Sequence, residues 1–285
     1  MGLMPALLDM RLVDGIVSRA LQEDIGTGDT TTQLTVPEGV EAVGEFRTAQ
    51  PGVLAGMPVV ERVFAQLNPR VRLEPLVKEG QRFDAGTVLA EVHGDARCLL
   101  TGERVALNFV QRLSGIATLT ARFVEAVKGL PVRICDTRKT TPGLRYLERY
   151  AVRVGGGFNH RFGLYDAVLI KDNHIAVCGG IAQAVHRVRH TLPHTMKVEV
   201  ECDSLQQVQE ALEAGVEIIL LDNMSLDDLR EAVRMAKGRA FLEASGGVRL
   251  DTVRQIAETG VDAISVGALT HSAPAIDIQL EIRLK

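Results

Sequence analysis

Positively charged side chains recur in the second half of a chain whose overall charge is slightly negative. The 285 residues include 32 Lys and Arg against 36 Asp and Glu, which gives a net charge of −4. Arg138 and Lys139 closely follow one apolar run, Arg161 lies in the segment GGGFNHRFG, and Lys171 directly follows a second apolar run. Guanidinium groups bind carboxylates and phosphates in a bidentate manner, and a local group of cations attracts polyanions. These four residues therefore predict a site for a small molecule with several negative charges.

Two acidic residues stand at the ends of neighbouring apolar runs. Glu201 ends the run VEVE, and Asp222 follows the run IILL. A single charged residue at the end of a strand is as often a solvated cap as a functional group. A pair of carboxylates beside phosphate oxygens and water, however, is a common way to hold Mg²⁺. The sequence therefore predicts a magnesium site near the cations.

Two glycine-containing turns follow the last two apolar runs of the chain. Their residues are Ser245, Gly246, Gly247, Val266, Gly267 and Ala268. Each turn by itself is equally consistent with an ordinary tight turn. The last two strand loops of a barrel, however, commonly bind phosphate through backbone N–H groups. Their joint occurrence predicts a phosphate site.

The apolar runs that precede these residues predict a repeated strand–helix unit. The runs lie at 132–135, 167–170, 198–201, 218–221, 241–244 and 263–266. They are continuous, as in strands that are buried on both faces of a parallel sheet. Ser204 and Ser225 stand at helix-capping positions, and glycines recur every 22–23 residues at Gly215, Gly238 and Gly260. We predict an α/β fold with an incomplete (β/α) barrel rather than a doubly wound sheet, because polar residues follow nearly every strand.

The first part of the chain has a different pattern, which predicts an N-terminal α/β sandwich domain. Helices are expected near 10–22 and from Pro58, with short strands between them. The segment 101–118 predicts a helix that ends near Ser114 and Gly115. Arg104, Asn108 and Arg112 lie along one side of that helix, which is the usual pattern of a solvated face.

The C-terminal segment IDIQLEIRLK alternates apolar and polar residues without a break. This alternation predicts a half-buried antiparallel strand that cannot continue a parallel barrel. We therefore expect the tail to return to the sheet of the N-terminal domain. The predicted domains are 1–112, 113–270 for the catalytic barrel, and 271–285 for the tail strand.

Composition argues against several classes of protein. With its net negative charge, 4 % aromatic residues and no Trp, the chain lacks the features of a nucleic-acid binder. No apolar stretch is long enough to span a membrane, and the N-terminus lacks the pattern of a signal peptide. The cysteines form no CxxC pair, so we expect free thiols and a cytoplasmic enzyme. They are Cys98, Cys135, Cys178 and Cys202.

In combination, the motifs resemble those of the quinolinate phosphoribosyltransferase family. The matching stretches cover nearly the whole chain, in order: LQEDIGTGDTTT (21–32), TGERVALNFVQRLSGIAT (101–118), DTRKTTPGLR (136–145), VGGGFNHRFGLYDAVLIKDNHI (154–175), VEVECDSL (198–205), LLDNMS (220–225), EASGGV (243–248) and ISVGALTHSAPAIDI (264–278). The resemblance implies an N-terminal α/β sandwich, an incomplete α/β barrel, and a homodimer with shared active sites. A trimer of such dimers is a further expectation.

The same resemblance implies a pentosyltransferase reaction. Phosphoribosyl pyrophosphate and quinolinate would give nicotinate mononucleotide, pyrophosphate and CO₂, with Mg²⁺ and no organic cofactor. Arg104 would reach quinolinate across the dimer, and Glu201 and Asp222 would face the ribose hydroxyls and Mg²⁺. The quinolinate and pyrophosphate lining would comprise Thr137, Arg138, Lys139, His160, Arg161 and Lys171. The 5-phosphate loops would be the two glycine-containing turns, and Lys139 or Lys171 would assist decarboxylation.

Two alternative functions remain open at this point. One is a relative of the same fold that acts in molybdenum uptake, against which the complete set of cations argues. The other is a Schiff-base aldolase on a phosphate-binding barrel, with Lys171 as the nucleophile. An aldolase would give the remaining cations no obvious purpose.

Overall fold

The computed structural model describes residues 8–285, which divide into two compact units. The first unit comprises the chain up to Ala121 together with Thr140–Gly156 and Leu269–Lys285. The second unit comprises Arg122–Lys139 and Gly157–Ala268. Over residues 8–285, every helix is too short or too polar to cross a lipid bilayer.

The strands are, in chain order, β1 (Glu41–Thr48), β2 (Gly52–Val53), β3 (Arg72–Pro75), β4 (Arg82–Phe83), β5 (Val88–Asp95), β6 (Arg133–Cys135), β7 (Val168–Ile170), β8 (Val198–Cys202), β9 (Ile218–Asp222), β10 (Phe241–Ser245), β11 (Ala263–Ser265) and β12 (Ile278–Leu284). The helices are α1 (Met10–Ile25), α2 (Thr30–Thr35), α3 (Met57–Leu67), α4 (Ala96–Ala126), α5 (Arg145–Val154), α6 (Asp172–Cys178), α7 (Ile181–Thr191), α8 (Leu205–Glu213), α9 (Leu226–Ala236), α10 (Val253–Ala257) and α11 (Ala268–His271).

The first unit contains an antiparallel sheet with the strand order β12-β1-β5-β3. The tail strand β12 pairs with β1, with Leu280 opposite Phe46, which confirms the predicted return of the tail to this domain. The rings of Phe46 and Phe64 meet edge to face at 6.4 Å, so α3 packs on the sheet. Helix α1 packs against α3, where Arg62 and Asp14 form an ion pair at 2.7 Å. This arrangement is the predicted α/β sandwich.

Helix α4 continues to Ala126, so the predicted helix end near Ser114 and Gly115 is wrong. Both residues are fully or nearly fully buried inside the helix. A Cβ atom on Gly115 would overlap the carbonyl oxygen of Pro274, and the hydroxyl of Ser114 bonds to the backbone of Ala55. These small residues therefore allow close packing against the helix and do not terminate it.

The second unit is built on a parallel sheet with the strand order β6-β11-β10-β9-β8-β7. Among the described residues, the strand pairings in this sheet are parallel, and helices follow the strands, as in an α/β barrel. Within the described residues, β6 and β7 do not pair with each other, so the barrel is incomplete, as predicted. Ser204 and Ser225 cap α8 and α9 as predicted, by accepting the N–H groups of Gln207 and Asp228.

The compact units differ from the three consecutive segments that the sequence indicated. The predicted boundary at residue 112 lies inside α4, which is one continuous helix. Segment Thr140–Gly156, which contains α5, belongs to the first unit although it lies between strands of the second. In that unit Tyr150 donates its hydroxyl to Glu79, and Arg112 bonds to the buried Glu148, which joins the segment to its neighbours.

Candidate active site

The parallel register directs several polar side chains to one face of the second unit's sheet. Glu201 on β8 and Glu243 on β10 both pair with Leu220 on β9. Residues two apart along a strand point to the same face, so Asp222 shares this face with Leu220. The predicted pair Glu201 and Asp222 therefore lies on one face, at the carboxyl ends of adjacent strands.

Lys171 forms an ion pair with Glu201 at the carboxyl edge of this face. The distance from Lys171 Nζ to Glu201 Oε2 is 2.5 Å, and the two side chains are 44 % and 15 % exposed. Lys171 is the N-cap residue of α6, and its backbone N–H donates to Nδ1 of His174 at 2.9 Å. The first turn of α6 therefore fixes the backbone from which the ammonium group extends towards Glu201.

Asn223 orients the carboxylate of Asp222. Its amide Nδ2 donates to Asp222 Oδ2 at 2.7 Å, and its backbone N–H donates to Ser245 O at 2.9 Å. Asn223 has a φ of 54°, in the left-handed region that Asn adopts more readily than most residues. A Cβ atom on Gly246 would overlap the Asn223 amide, so the glycine leaves room for this arrangement.

Arg161 extends from a tightly bonded loop between Gly157 and Asp166. The carboxylate of Asp166 accepts the N–H groups of Phe162 at 2.5 Å and Gly163 at 2.8 Å. The guanidinium Nη1 of Arg161 donates to the carbonyl of Ala167 at 3.2 Å. Backbone and side chain of Arg161 are thus both held in place.

The positive charge of Arg138 acts on the guanidinium group of Arg161. Burial, and then the positive charge of Arg138, lower the pKa of Arg161 from its usual value. Two guanidinium groups of like charge in a half-buried place repel each other, and an anionic ligand between them would relieve that repulsion. Thr137 Oγ1 accepts the backbone N–H of the exposed Lys139 at 3.1 Å. Of the predicted lining residues, Thr137, Arg138 and Lys139 are consecutive in the chain after β6. Arg161 lies in the loop before β7 of the same unit.

His160 is directed into the sheet, where its ring is between two buried acids. Its Nε2 lies 3.3 Å from both Glu199 Oε2 and Glu243 Oε1, and its Nδ1 accepts the backbone N–H of Arg161 at 2.7 Å. Burial favours the neutral ring, whereas hydrogen bonds to Glu199 and Glu243 raise the pKa of His160. Because Nδ1 accepts the Arg161 N–H, the ring carries a proton on Nε2, between the two carboxylates. Both nitrogens of the ring thus have partners within the protein, and the expected place of His160 in the substrate pocket stays a prediction.

The glycine-containing turns differ in what they offer to a phosphate. Gly246 and Gly247 have φ values of 92° and 59°, which side chains rarely adopt, after the half-buried Ser245. The N–H of Val266, in contrast, donates to Cys135 O at 2.9 Å, and Val266 is only 1 % exposed. The N–H of Val266 is therefore bonded within the protein, and the role of this second turn in binding phosphate stays a prediction.

Arg104 lies in the first unit, on an exposed part of α4. It lines a cleft of about 330 Å³ together with Asp29, Thr31 and Leu100. Asn108 is also exposed, but Arg112, on the same side of the helix, is not a solvated residue. Arg112 donates to the fully buried Glu148 and to the carbonyl groups of Thr270 and Ala273. The predicted solvated row is therefore wrong at Arg112.

Sequence reasoning missed the polar residues that support the site. Glu199 and Glu243 interrupt the apolar runs VEVE and FLEA, and an acid within a buried strand is the signal that could have identified them. Asp136 is fully buried and accepts the N–H of His160 and the amide of Asn159. All four cysteines are free thiols, as predicted, and burial raises the pKa of Cys202 to about 12.

Comparison with known proteins gives consistent matches over most of the chain. Residues 29–114 match the N-terminal domain of quinolinate phosphoribosyl transferase, and residues 116–281 match its C-terminal domain. A Bacillus subtilis protein named "Probable nicotinate-nucleotide pyrophosphorylase (carboxylating)" is 45 % identical, over 92 % of this chain and 90 % of that protein. Quinolinate phosphoribosyltransferase (decarboxylating) 1b of Nicotiana tabacum is 42 % identical, over 94 % of this chain and 81 % of that protein. A solved nicotinate-nucleotide pyrophosphorylase from Francisella tularensis superposes with a TM-score of 0.93 at 40 % identity, covering 99 % of this chain and all of the other.

Proposed function

The chain belongs to the quinolinate phosphoribosyltransferase family, and from this premise we propose how its residues carry out the reaction. The enzyme is a pentosyltransferase of NAD biosynthesis. It transfers the phosphoribosyl group of phosphoribosyl pyrophosphate to the nitrogen of quinolinate, and it releases pyrophosphate and CO₂ to form nicotinate mononucleotide. The observation that best supports the residue assignment is the position of Glu201 and Asp222 on the same sheet face as Lys171.

The cations of the second unit bind the two anionic substrates. Arg138 and Arg161 are close enough to interact, and their guanidinium groups fit the two adjacent carboxylates of quinolinate. Lys139 and Lys171 bind the pyrophosphate or a carboxylate, and Thr137 orients the backbone of Lys139. The turns at Ser245–Gly247 and Gly267–Ala268 supply backbone N–H groups for the 5-phosphate.

Glu201 and Asp222 act on the ribose. Departure of pyrophosphate leaves positive charge on the ribose C1, in a state that is similar to the oxocarbenium-like transition state of glycoside hydrolysis. Two carboxylates in a fixed geometry stabilise that charge without reorganising. Lys171 bonds to Oε2 of Glu201 and Asn223 bonds to Oδ2 of Asp222, so we assign the other oxygen of each carboxylate to the ribose.

The same two carboxylates fit Mg²⁺, which prefers oxygen ligands and keeps several of its waters. The ion would neutralise the charge of the departing pyrophosphate. The ion pair between Lys171 and Glu201 already offsets part of the negative charge, so an indirect contact through water or pyrophosphate oxygens suits this pair better than a closed protein cage.

Decarboxylation follows attack by the pyridine nitrogen on C1. The positive charge of the alkylated ring stabilises the electron pair that CO₂ leaves on C2, and that carbon then takes up a proton. Lys139 or Lys171 supplies this proton or guides the carboxylate. The relatives of this chain support this transferase reaction and not a Schiff-base aldolase.

Arg104 completes the site from a second copy of the chain. It is exposed on α4 of the first unit, and a homodimer would allow it to bind a carboxylate of quinolinate held by its partner. An assay of the purified chain with quinolinate, phosphoribosyl pyrophosphate and Mg²⁺ tests the proposal. Release of CO₂ from quinolinate labelled at the 2-carboxylate, dependent on phosphoribosyl pyrophosphate, is expected; its absence would overturn it.

A further inference from the structure

A cluster of buried polar side chains lies within the sheet of the second unit, below the cations. It consists of Glu199 on β8, Glu243 on β10, Ser265 on β11 and the ring of His160. Glu199 and Glu243 are 4 % and 5 % exposed, and Ser265 donates its hydroxyl to Glu243. We call these four residues the buried carboxylate cluster.

Two acids within apolar strands are costly for the fold unless they have another role. Removing a carboxylate from water carries a desolvation penalty, and an apolar residue of similar size would avoid it. Burial raises the pKa of Glu199 accordingly, against the opposing effect of His160. Glu199 Oε1 is buried and has no hydrogen-bond partner within residues 8–285. The desolvation penalty of these two acids therefore argues against a role in stabilising the barrel. Their contacts with Nε2 of His160 indicate instead that they hold this ring in place.

His160, whose ring the cluster holds, directly precedes Arg161, the arginine that we assign to quinolinate. His160 Nε2 lies between the two carboxylates at 3.3 Å from each, and Asp136 Oδ1 accepts the His160 backbone N–H at 2.8 Å. On its other side the ring accepts the N–H of Arg161 at 2.7 Å. The buried carboxylate cluster thus fixes the backbone of Arg161 through the His160 ring. The hydrogen bonds from Phe162 and Gly163 to Asp166 fix the residues that follow Arg161.

We propose that Glu199 and Glu243 are positioning residues that fix Arg161 for the carboxylates of quinolinate, acting through the ring of His160. The inference deepens the proposed function and rests on it. Neither acid touches the substrate. The two acids act on the substrate by fixing the direction of the Arg161 guanidinium group. In the proposed function this group binds quinolinate and not phosphoribosyl pyrophosphate.

The test compares KM for the two substrates in Glu199→Gln, Glu243→Gln and the milder Ser265→Ala. A shift of about 1 Å in a binding group can cost on the order of a hundredfold. We expect KM for quinolinate to rise about ten- to hundredfold in the glutamine variants and less in Ser265→Ala, with KM for phosphoribosyl pyrophosphate unchanged. Glu199→Ala should raise KM for quinolinate more than Glu199→Gln does, because glutamine keeps an oxygen that can accept the Nε2 proton of His160.

Ile219→Val is the matched control for a purely structural effect. Ile219 is fully buried on β9, between the strands that carry the two acids, and this change removes one buried methylene group and lowers the stability of the fold. The control should lower the melting temperature without a selective change in KM for quinolinate. Binding of benzene-1,2-dicarboxylate, measured by calorimetry, gives a readout that does not require turnover, and it should weaken in parallel with KM.

The outcomes separate the two proposals. If the unaltered chain does not convert quinolinate, the proposed function fails. If the unaltered chain is active but the glutamine variants keep its KM for quinolinate, or lose affinity for both substrates equally, only the positioning role is overturned.

Discussion

The ammonium group of Lys171 and the carboxylate of Glu201 are joined at 2.5 Å across the ends of two neighbouring strands. One member of this pair belongs to the predicted cations, and the other to the predicted acids. The pair therefore connects the part of the site that binds anions with the part that stabilises positive charge on the ribose. A substitution of either residue removes the ion-pair partner of the other.

A double-mutant cycle tests this coupling. Lys171→Met removes the ammonium group but keeps most of the stem, and Glu201→Gln removes the charge of its partner. We expect each change to lower kcat/KM by about a hundredfold, and the double variant to lose less than the product of the two, because contacting residues are not additive. Losses that multiply independently, measured by steady-state kinetics, would contradict the coupling.

Asp222→Asn should lower kcat at saturating substrates by about a hundred- to a thousandfold. The amide keeps the shape of the side chain but not the charge that faces the ribose, which is a loss typical of a preorganised electrostatic group. The apparent affinity for Mg²⁺ should fall in the same titration. Asp227→Asn, an exposed position on α9, is the control and should leave both quantities unchanged. Equal behaviour of the two variants would remove Asp222 from the mechanism.

Mixing two inactive variants tests whether a second chain contributes Arg104. Arg104→Ala and Lys171→Ala homodimers should each be nearly inactive. After unfolding and refolding together, about one quarter of the native activity should return, because half of the dimers are mixed and each of those has one intact site. Activity that stays at the level of the separate variants would place Arg104 outside a shared site.

Two glycine-to-alanine changes in helices should have opposite effects on stability. A Cβ atom on Gly15 in α1 would meet the end of the Arg19 side chain at an ordinary contact distance of 3.9 Å, so Gly15→Ala should raise the free energy of unfolding by about 1 kcal/mol through helix propensity. Gly115→Ala in α4 should lower it, because the new methyl group overlaps Pro274 O beside the tail. Denaturant unfolding of both variants checks the signs, and stabilisation by Gly115→Ala would refute the packing role of that glycine.

Glu79→Gln should change how stability depends on pH. Glu79 accepts the N–H groups of Gly56 and Met57 and the hydroxyl of Tyr150, yet burial is the larger influence and raises its pKa above 4.5. An acid with a raised pKa contributes stability that is present below its unfolded pKa and is lost as pH rises through the folded value.

The glutamine variant lacks this loss, so its stability relative to the unaltered chain should increase as pH rises from about 4.5 towards neutral. Urea unfolding at several pH values measures the difference. A difference that does not vary with pH would show that Glu79 keeps its ordinary pKa.

The repeating part of the fold was accessible from sequence, because its strands and caps are local signals. Ser204 and Ser225 cap helices as their spacing predicted, and the alternation in 276–284 identified the tail strand. The end of α4 was not accessible. Gly115 resembles a helix stop in the sequence, and only the carbonyl of Pro274, more than 150 positions away, explains why a glycine is required there.

The site, like the fold, was predictable from sequence only where the signal is local. Strand ends carry Lys171, Glu201 and Asp222 to one edge, and a residue's place after an apolar run is visible in the sequence. The direction of a ring is not visible in the sequence, so the contacts of His160 with Glu199 and Glu243 could not be predicted. Whether a backbone N–H is already bonded within the protein is equally hidden, as at Val266.

The loop that carries His160 and Arg161 also lies against the outer side of the edge strand β6. Phe158 pairs with Cys135 as an isolated parallel bridge, and its N–H and C=O groups bond to Ile134 and Asp136. An exposed strand edge is a template for aggregation between chains. Loosening this loop would uncover such an edge, so variants that weaken quinolinate binding through it should also become less soluble on storage or heating.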